Sequence, residues 1–183
     1  MDVTPTAIPE VRIVKPRRFA DSRGYFSETY NQRVFCAAGI GMPFVQDNQS
    51  LSRPKGTVRG LHFQLPPFAQ DKLVRVVRGS ILDVAVDIRR GAPSFGRSVS
   101  VVLSAEEGSQ LFIPIGFAHG FCTLEDDTEV LYKVSNFYSA ECDRGISWND
   151  PDLAIDWPVS PDLAVLSDKD KTWPRLKDLP ACF

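Results

Sequence analysis

Short runs of alternating apolar and polar residues, cut off by glycine, proline, asparagine or aspartate, recur along the chain from Val11 to Tyr138. Alternation with period two turns one face of each run inward, and the breakers place turns at the ends, so the pattern specifies strands. Ten runs can be read, at 11–14, 25–30, 44–52, 60–64, 73–78, 80–88, 97–103, 110–113, 121–124 and 129–134, the last continuing towards Tyr138. Only 31–38 reads as a helix, with Asn31 as its cap and Gly39 as its stop. Many short strands and one short early helix imply an all-β fold, an antiparallel sandwich or barrel of the jelly-roll kind. After Ile146 the rhythm lapses. Trp148, Trp157, Trp173 and the prolines from Pro151 to Pro180 describe a C-terminal tail packed on the barrel, with one short helix at 161–166. No repeat or linker interrupts the chain, so residues 1–183 are expected to form a single domain.

Composition narrows the function classes. The formal net charge of −2 and a pI near 5.7 give no electrostatic footprint for nucleic acid. No apolar run approaches the roughly 18–20 residues that span a bilayer. The opening M-D-V-T-P-T-A-I-P-E has neither the basic nor the apolar region of a secretory leader. Cys36, Cys122, Cys142 and Cys182 are widely spaced and form no C-x-x-C pair, which suits reduced thiols in the cytoplasm.

Two glycine–histidine spacings stand out. Gly108-x5-Pro114-x-Gly116-x2-His119 has the spacing of the second cupin motif, and Gly56-x5-His62 matches the beginning of the first. Glycines permit turns at strand ends, proline fixes one, and the histidines point into a barrel mouth. The resemblance implies a cupin-type barrel. Metal-binding cupins add a second histidine two residues after the first, where this chain has Gln64, and a carboxylate where it has Lys72. An ammonium offers no lone pair and repels a divalent ion, so no metal or other cofactor is expected.

The barrel must then act through side chains. Imidazole as a group titrates near neutrality, which makes His62 the candidate general base. Arg23, Arg59, Lys72 and Lys169 suit a diphosphate or a developing oxyanion. Tyr132 and Tyr138 share a strand face by parity, where a phenol can donate a proton or stack on a ring. Asp83 alternates inward with Ile81 and Ala85 and needs a buried partner, for which His119 is the natural choice. Gln46, Asn48 and Ser50 share one face of their run. Parity puts Arg59 and His62 on opposite faces of an unbroken strand. If both serve one pocket, a bulge is expected near Gly60.

Nearly the whole chain, from Asp21 to about Leu176, resembles the dTDP-4-dehydrorhamnose 3,5-epimerase family. The matching segments include D-S-R-G-Y-F-S-E at 21–28, F-V-Q-D-N-Q-S at 44–50, R-G-L-H-F-Q at 59–64 and K-L-V-R-V-V-R-G at 72–79. They continue with F-I-P-I-G-F-A-H-G-F at 112–121, Y-K-V-S-N-F-Y at 132–138, G-I-S-W-N-D at 145–150 and L-S-D-K-D at 166–170. The resemblance implies a metal-independent homodimer, its N-terminal segments reaching into the partner's site, that inverts two carbons of a dTDP-4-keto-6-deoxy sugar. It implies His62 as base with Asp170 as its carboxylate, Tyr132 as proton donor, Lys72 near the 4-keto oxygen and Tyr138 stacked on thymine. Nucleotide and phosphate contacts would fall on Arg23, Glu28, Gln46, Asn48, Arg59, His119 and Lys169. Asp143 stands where the family commonly has an acidic residue, often glutamate. Competing readings are a mono-epimerase acting at C3 or C5 only in an antibiotic sugar pathway, a 3,4-ketoisomerase, a non-catalytic nucleotide-sugar-binding cupin and a metal-dependent dioxygenase.

Overall fold

The alternating pattern resolves into thirteen strands and one helix in a computed structural model that describes all residues, 1–183. In chain order these are β1 (Asp2–Pro5), β2 (Arg12–Lys15), β3 (Arg18–Asp21), β4 (Gly24–Ser27), α1 (Gln32–Ala37), β5 (Gln46–Ser52), β6 (Val58–Gln64) and β7 (Lys72–Arg78). They continue with β8 (Ser80–Asp87), β9 (Ser98–Ser104), β10 (Gln110–Ile113), β11 (Phe117–Thr123), β12 (Thr128–Val134) and β13 (Asp143–Gly145). The fold is all-β. One antiparallel sheet runs β1-β2-β10-β7-β12-β5, a second runs β13-β6-β11-β8-β9, and β3 and β4 make a separate hairpin.

Strand parity builds the core. In β7, Val74 and Val76 face the second sheet, where they share a cluster with Ile81 and Ala85 of β8, Val99 and Leu103 of β9, and Phe117 and Phe121 of β11. Leu73 has the other parity and packs outside the first sheet against Phe112 and Phe35. Each aliphatic side chain so buried contributes roughly 1.5–3 kcal/mol relative to exposure. The six-residue α1 is too short to persist alone. Asn31 Oδ1 accepts from the N–H groups of Arg33 and Val34 at its start, and Phe35 is the side chain it buries. On the outer face of the second sheet, Leu153 and Leu176 join Leu61, Phe63, Val84 and Val86, while Trp148 packs with Val58 and Cys122.

The bulge expected near Gly60 is present. His119 pairs with His62 but Phe121 pairs with Arg59, so β6 spends three steps where β11 spends two. Gly60 absorbs the extra residue at φ +136°, a conformation that only glycine adopts freely.

Several expectations need correcting. No helix forms at 161–166. The backbone of Val165 is instead engaged by its neighbours, as Val58 N–H donates to Val165 O and Val165 N–H donates to Gly56 O in a parallel bridge. The short helical turn of the tail lies at Leu176–Asp178. β12 ends at Val134, so Tyr138 stands beyond the strand and does not share a strand face with Tyr132. The run at 25–30 ends as a strand at Ser27, and β1, β3 and β13 escaped the sequence reading because four-residue and three-residue segments carry too few alternations to register.

Candidate active site

The bulge in β6 turns Arg59 and His62 onto one cavity of about 400 Å³, which Ser50, His119, Tyr132, Ser167, Lys169 and Asp170 also line. Its two walls come from different sheets: His62 and His119 from β6 and β11, Tyr132 and Ser50 from β12 and β5. Val165, Leu166, Ser167, Lys169 and Asp170 of the tail close a third side.

Each histidine is held by its own carboxylate. His62 Nε2 lies 2.5 Å from Asp170 Oδ1, and His119 Nε2 lies 2.6 Å from Asp83 Oδ1. Asp170 is itself fixed, for Ser167 Oγ donates to its Oδ2 at 2.9 Å and Trp173 Nε1 donates to Oδ1 at 3.4 Å. Burial pushes the Asp170 carboxyl up, but hydrogen bonding and charge from His62, with help from Ser167 and Trp173, outweigh it and leave the pKa below the usual value. A low pKa keeps Asp170 ionised against the imidazole. Burial lowers the pKa of His119 despite the opposing pull of Asp83, so that ring is neutral near pH 7.

The cations sit at different depths. Arg59 donates through Nε to Ser52 Oγ at 3.0 Å and through a terminal nitrogen to Leu51 O at 3.1 Å. Lys169 pairs with Asp143, whose other contact is the Tyr138 hydroxyl at 3.2 Å. Lys72 is buried against the backbone of His62, its Nζ donating to the His62 carbonyl at 3.2 Å. Burial pulls its pKa down to about 8, opposed by the charges of Asp143 and Asp83. Burial raises the pKa of Tyr132, with Arg59 pulling it back, so the phenol carries its proton at neutral pH.

Not every expected residue lines the cavity: the buried Lys72 stands behind its wall, and Tyr138 and Asp143 also lie outside its lining. Gln46 and Asn48 bond to each other on the inward face of β5, the Tyr138 backbone N–H donates to Gln46 Oε1, and the Tyr138 hydroxyl donates to Asp143, so these four form one hydrogen-bonded group. Arg23 and Glu28 stand apart in and beyond the β3–β4 hairpin, where Arg23 pairs with Asp21 and its side chain is 87% exposed. Ser50, Thr57, Ser167 and Trp173 were not foreseen. Parity with Gln46 and Asn48 pointed to Ser50, but nothing in the sequence separated Ser167 or Trp173 from tail packing. All four cysteines are free thiols. No three His, Cys, Asp or Glu side chains group as metal ligands, and no helix is long and apolar enough to cross a membrane.

The arrangement of an oriented imidazole, a protonated phenol from the facing sheet and nearby cations can move a proton on and off carbon beside an anionic group. Comparisons with known proteins point the same way. A family model described as dTDP-4-dehydrorhamnose 3,5-epimerase matches residues 5–178. The Sinorhizobium fredii protein of that name is 54% identical over 177 residues, covering 97% of this chain and 90% of the relative. The crystal structure of the Bacillus anthracis enzyme with TDP and pyrophosphate bound aligns with TM-score 0.92 at 48% identity, over 95% of this chain and 98% of the other. The Legionella pneumophila structure in complex with dTDP-4-keto-L-rhamnose aligns at 0.93 and 43% identity, over 98% and 95%.

Proposed function

The chain belongs to the dTDP-4-dehydrorhamnose 3,5-epimerase family, and from that premise we propose that its cavity inverts C3 and C5 of dTDP-4-dehydro-6-deoxy-D-glucose to give dTDP-4-dehydro-L-rhamnose. The hydrogens on both carbons are acidic because the carbanion left behind delocalises onto the 4-keto oxygen. His62, with one ring nitrogen held by Asp170, uses the other to take the proton. The ammonium of Lys72, next to the His62 backbone, stabilises the enolate oxygen, an interaction worth about 3–4 kcal/mol per donor in other enzymes. Tyr132 returns a proton from the other sheet, which inverts the centre. Arg59 and Lys169 take the diphosphate, His119 the sugar, and Tyr138 stacks on thymine with Gln46, Asn48 and Asp143 beside it.

The observation that carries this reading is the cavity shared by His62 of one sheet, its partner Asp170 from the tail, and Tyr132 of the other sheet. The two sheets form a cupin jelly roll across which the Pro/Trp-rich tail folds, and residues 1–183 make one domain. The enzyme is a homodimer. Exposed Phe19, Tyr25 and Phe26 make the β3–β4 hairpin an arm that carries Arg23 and Glu28 into the partner's site. Four unpaired thiols fit a cytoplasmic enzyme. Incubation with dTDP-4-keto-6-deoxyglucose in deuterated water, coupled to the reductase step, tests the activity. Deuterium at both C3 and C5 of the product is expected; label at one carbon identifies a mono-epimerase, and no label ends the reading.

A further inference from the structure

Gly145 lies opposite His62 in the β13–β6 register, and its backbone has no positive φ to demand glycine. The reason for glycine there is space. A Cβ at this position would fall 2.5–2.6 Å from three atoms of the Trp173 indole, so the ring rests directly on the glycine backbone. So seated, the indole meets the catalytic pair on two counts. Its Nε1–H points at Asp170 Oδ1, the same oxygen that binds His62, and its ring meets the imidazole edge-on with centroids 6.1 Å apart. The Lys169 ammonium lies 5.3 Å from the centre of the same ring. The loop that bears these residues is tied back to β13's continuation, since Ser147 N–H donates to Pro174 O at 2.8 Å.

We propose that Trp173 is a positioning residue for proton abstraction: the indole, admitted by Gly145, fixes the Asp170 carboxylate and through it the His62 ring. The inference rests on the His62–Asp170 reading above and adds the element that sets its geometry. Without the indole, Ser167 is the only side chain other than His62 itself that holds the Asp170 carboxylate, and it does so only at Oδ2. A carboxylate free to turn about that contact lets the imidazole drift, and a displacement on the order of 1 Å can cost about 10²-fold in rate.

The test is a double-mutant cycle on the full-length enzyme with Trp173→Phe, Asp170→Asn and the pair, reading kcat, KM, the rate of deuterium exchange at C3 and C5, and the thermal midpoint. Phenylalanine keeps a ring over Gly145 and beside Lys169 but has no N–H. The expected result is a fall in kcat and exchange of about 10–100-fold, with KM within about threefold. In the Asp170→Asn background the same change is expected to cost almost nothing more, because its route of action is already cut. Wild-type kcat in Trp173→Phe, or an undiminished loss in the Asn background, overturns the proposal. If Trp173→Phe melts near the assay temperature, Gly145→Ala is read instead. It displaces the ring from the strand side, and the same selective loss of kcat supports the proposal while wild-type kcat overturns it. An Asp170→Asn enzyme at full rate would instead refute the base assignment beneath it, and the proposal with it.

Discussion

His62 and His119 are register partners on neighbouring antiparallel strands, and each is bound by a different aspartate. The two pairs differ in access. The His62 side chain is 31% exposed and opens on the cavity, whereas that of His119 is 8% exposed and its carboxylate is fully buried. An accessible imidazole can exchange its proton with solvent between turnovers; a buried one held neutral serves better as a fixed hydrogen-bonding group. His62→Ala is therefore expected to abolish deuterium exchange at C3 and C5, a loss of about 10²–10⁴-fold or more. His119→Asn should leave measurable exchange and raise KM. Exchange at wild-type rate in His62→Ala protein would assign the base elsewhere.

Tyr132 stands in the facing sheet and keeps its proton because burial raises its pKa. Tyr132→Phe removes the hydroxyl that the proposed mechanism uses as donor and leaves His62 in place. Exchange is expected to continue while at least one inversion slows by about 10²-fold or more. NMR of the product after reduction separates the two effects, since exchange with retained configuration appears as labelled starting isomer.

If Lys72 stabilises the enolate as proposed, it should set an alkaline limit to activity. Its folded pKa is about 8 against an ordinary 10.5, and Asp143, Asp83 and His119 are the titratable groups nearest to it in charge. As pH rises through about 8 the ammonium is lost, so kcat for exchange should fall there. Lys72→Arg keeps its charge and should lose that limb, at a lower plateau because the planar guanidinium does not fit the ammonium's place. The sign for stability is opposite. Between about 8 and 10.5 the unfolded chain binds the proton that the folded one has released, so this residue's contribution to stability rises with pH over that window. Urea midpoints of wild type and Lys72→Met across pH 7–10 measure it.

Where a local pattern carried the information, the sequence was sufficient. Parity along β8 placed Asp83 inward and so paired it with His119, and the clash of parity between Arg59 and His62 required the bulge that Gly60 supplies. The Asn31 cap and the start of α1 were likewise local. Asp170 is another matter. It lies 108 residues from His62 in a segment without periodicity, so only the family resemblance joined the two. The tail's course depends on contacts such as Gly145 with Trp173 and Thr57 with Val165, which no alternation announces. Short strands failed for a related reason: β13 has three residues, and its place is set by its partner β6 rather than by its own pattern.

Gly60 is the hinge of that bulge and has no room for change. A Cβ there would lie 2.5 Å from Gly120 Cα and 2.9 Å from the His119 carbonyl oxygen, at a φ that side chains avoid. Gly60→Ala is expected to cost more than about 3 kcal/mol, combining backbone strain with overpacking. At roughly 2–4 °C per kcal/mol for a chain of this size, the thermal midpoint should fall by about 6–12 °C. Gly91, whose Cβ would meet nothing within 4 Å, is the control, and Gly91→Ala should stay near the wild-type midpoint.

The hairpin arm gives the sharpest test of assembly. Arg23 has no contact with the cavity of its own chain, pairing only with Asp21, and three large hydrophobic side chains around it are exposed. If the arm completes a second copy's site, Arg23→Ala should weaken dTDP binding, and the damage should appear in the neighbour's cavity. Mixing Arg23→Ala with His62→Ala subunits then restores function. In a mixed dimer the first subunit supplies His62 and receives Arg23 from the second, so one of two sites is whole. Random reassortment makes half the dimers mixed, which predicts about a quarter of wild-type activity from two inactive or crippled parents. An arm that served its own chain would leave each mixed dimer with one site lacking Arg23 and one lacking His62. The mixture would then show no more than the average of its parents.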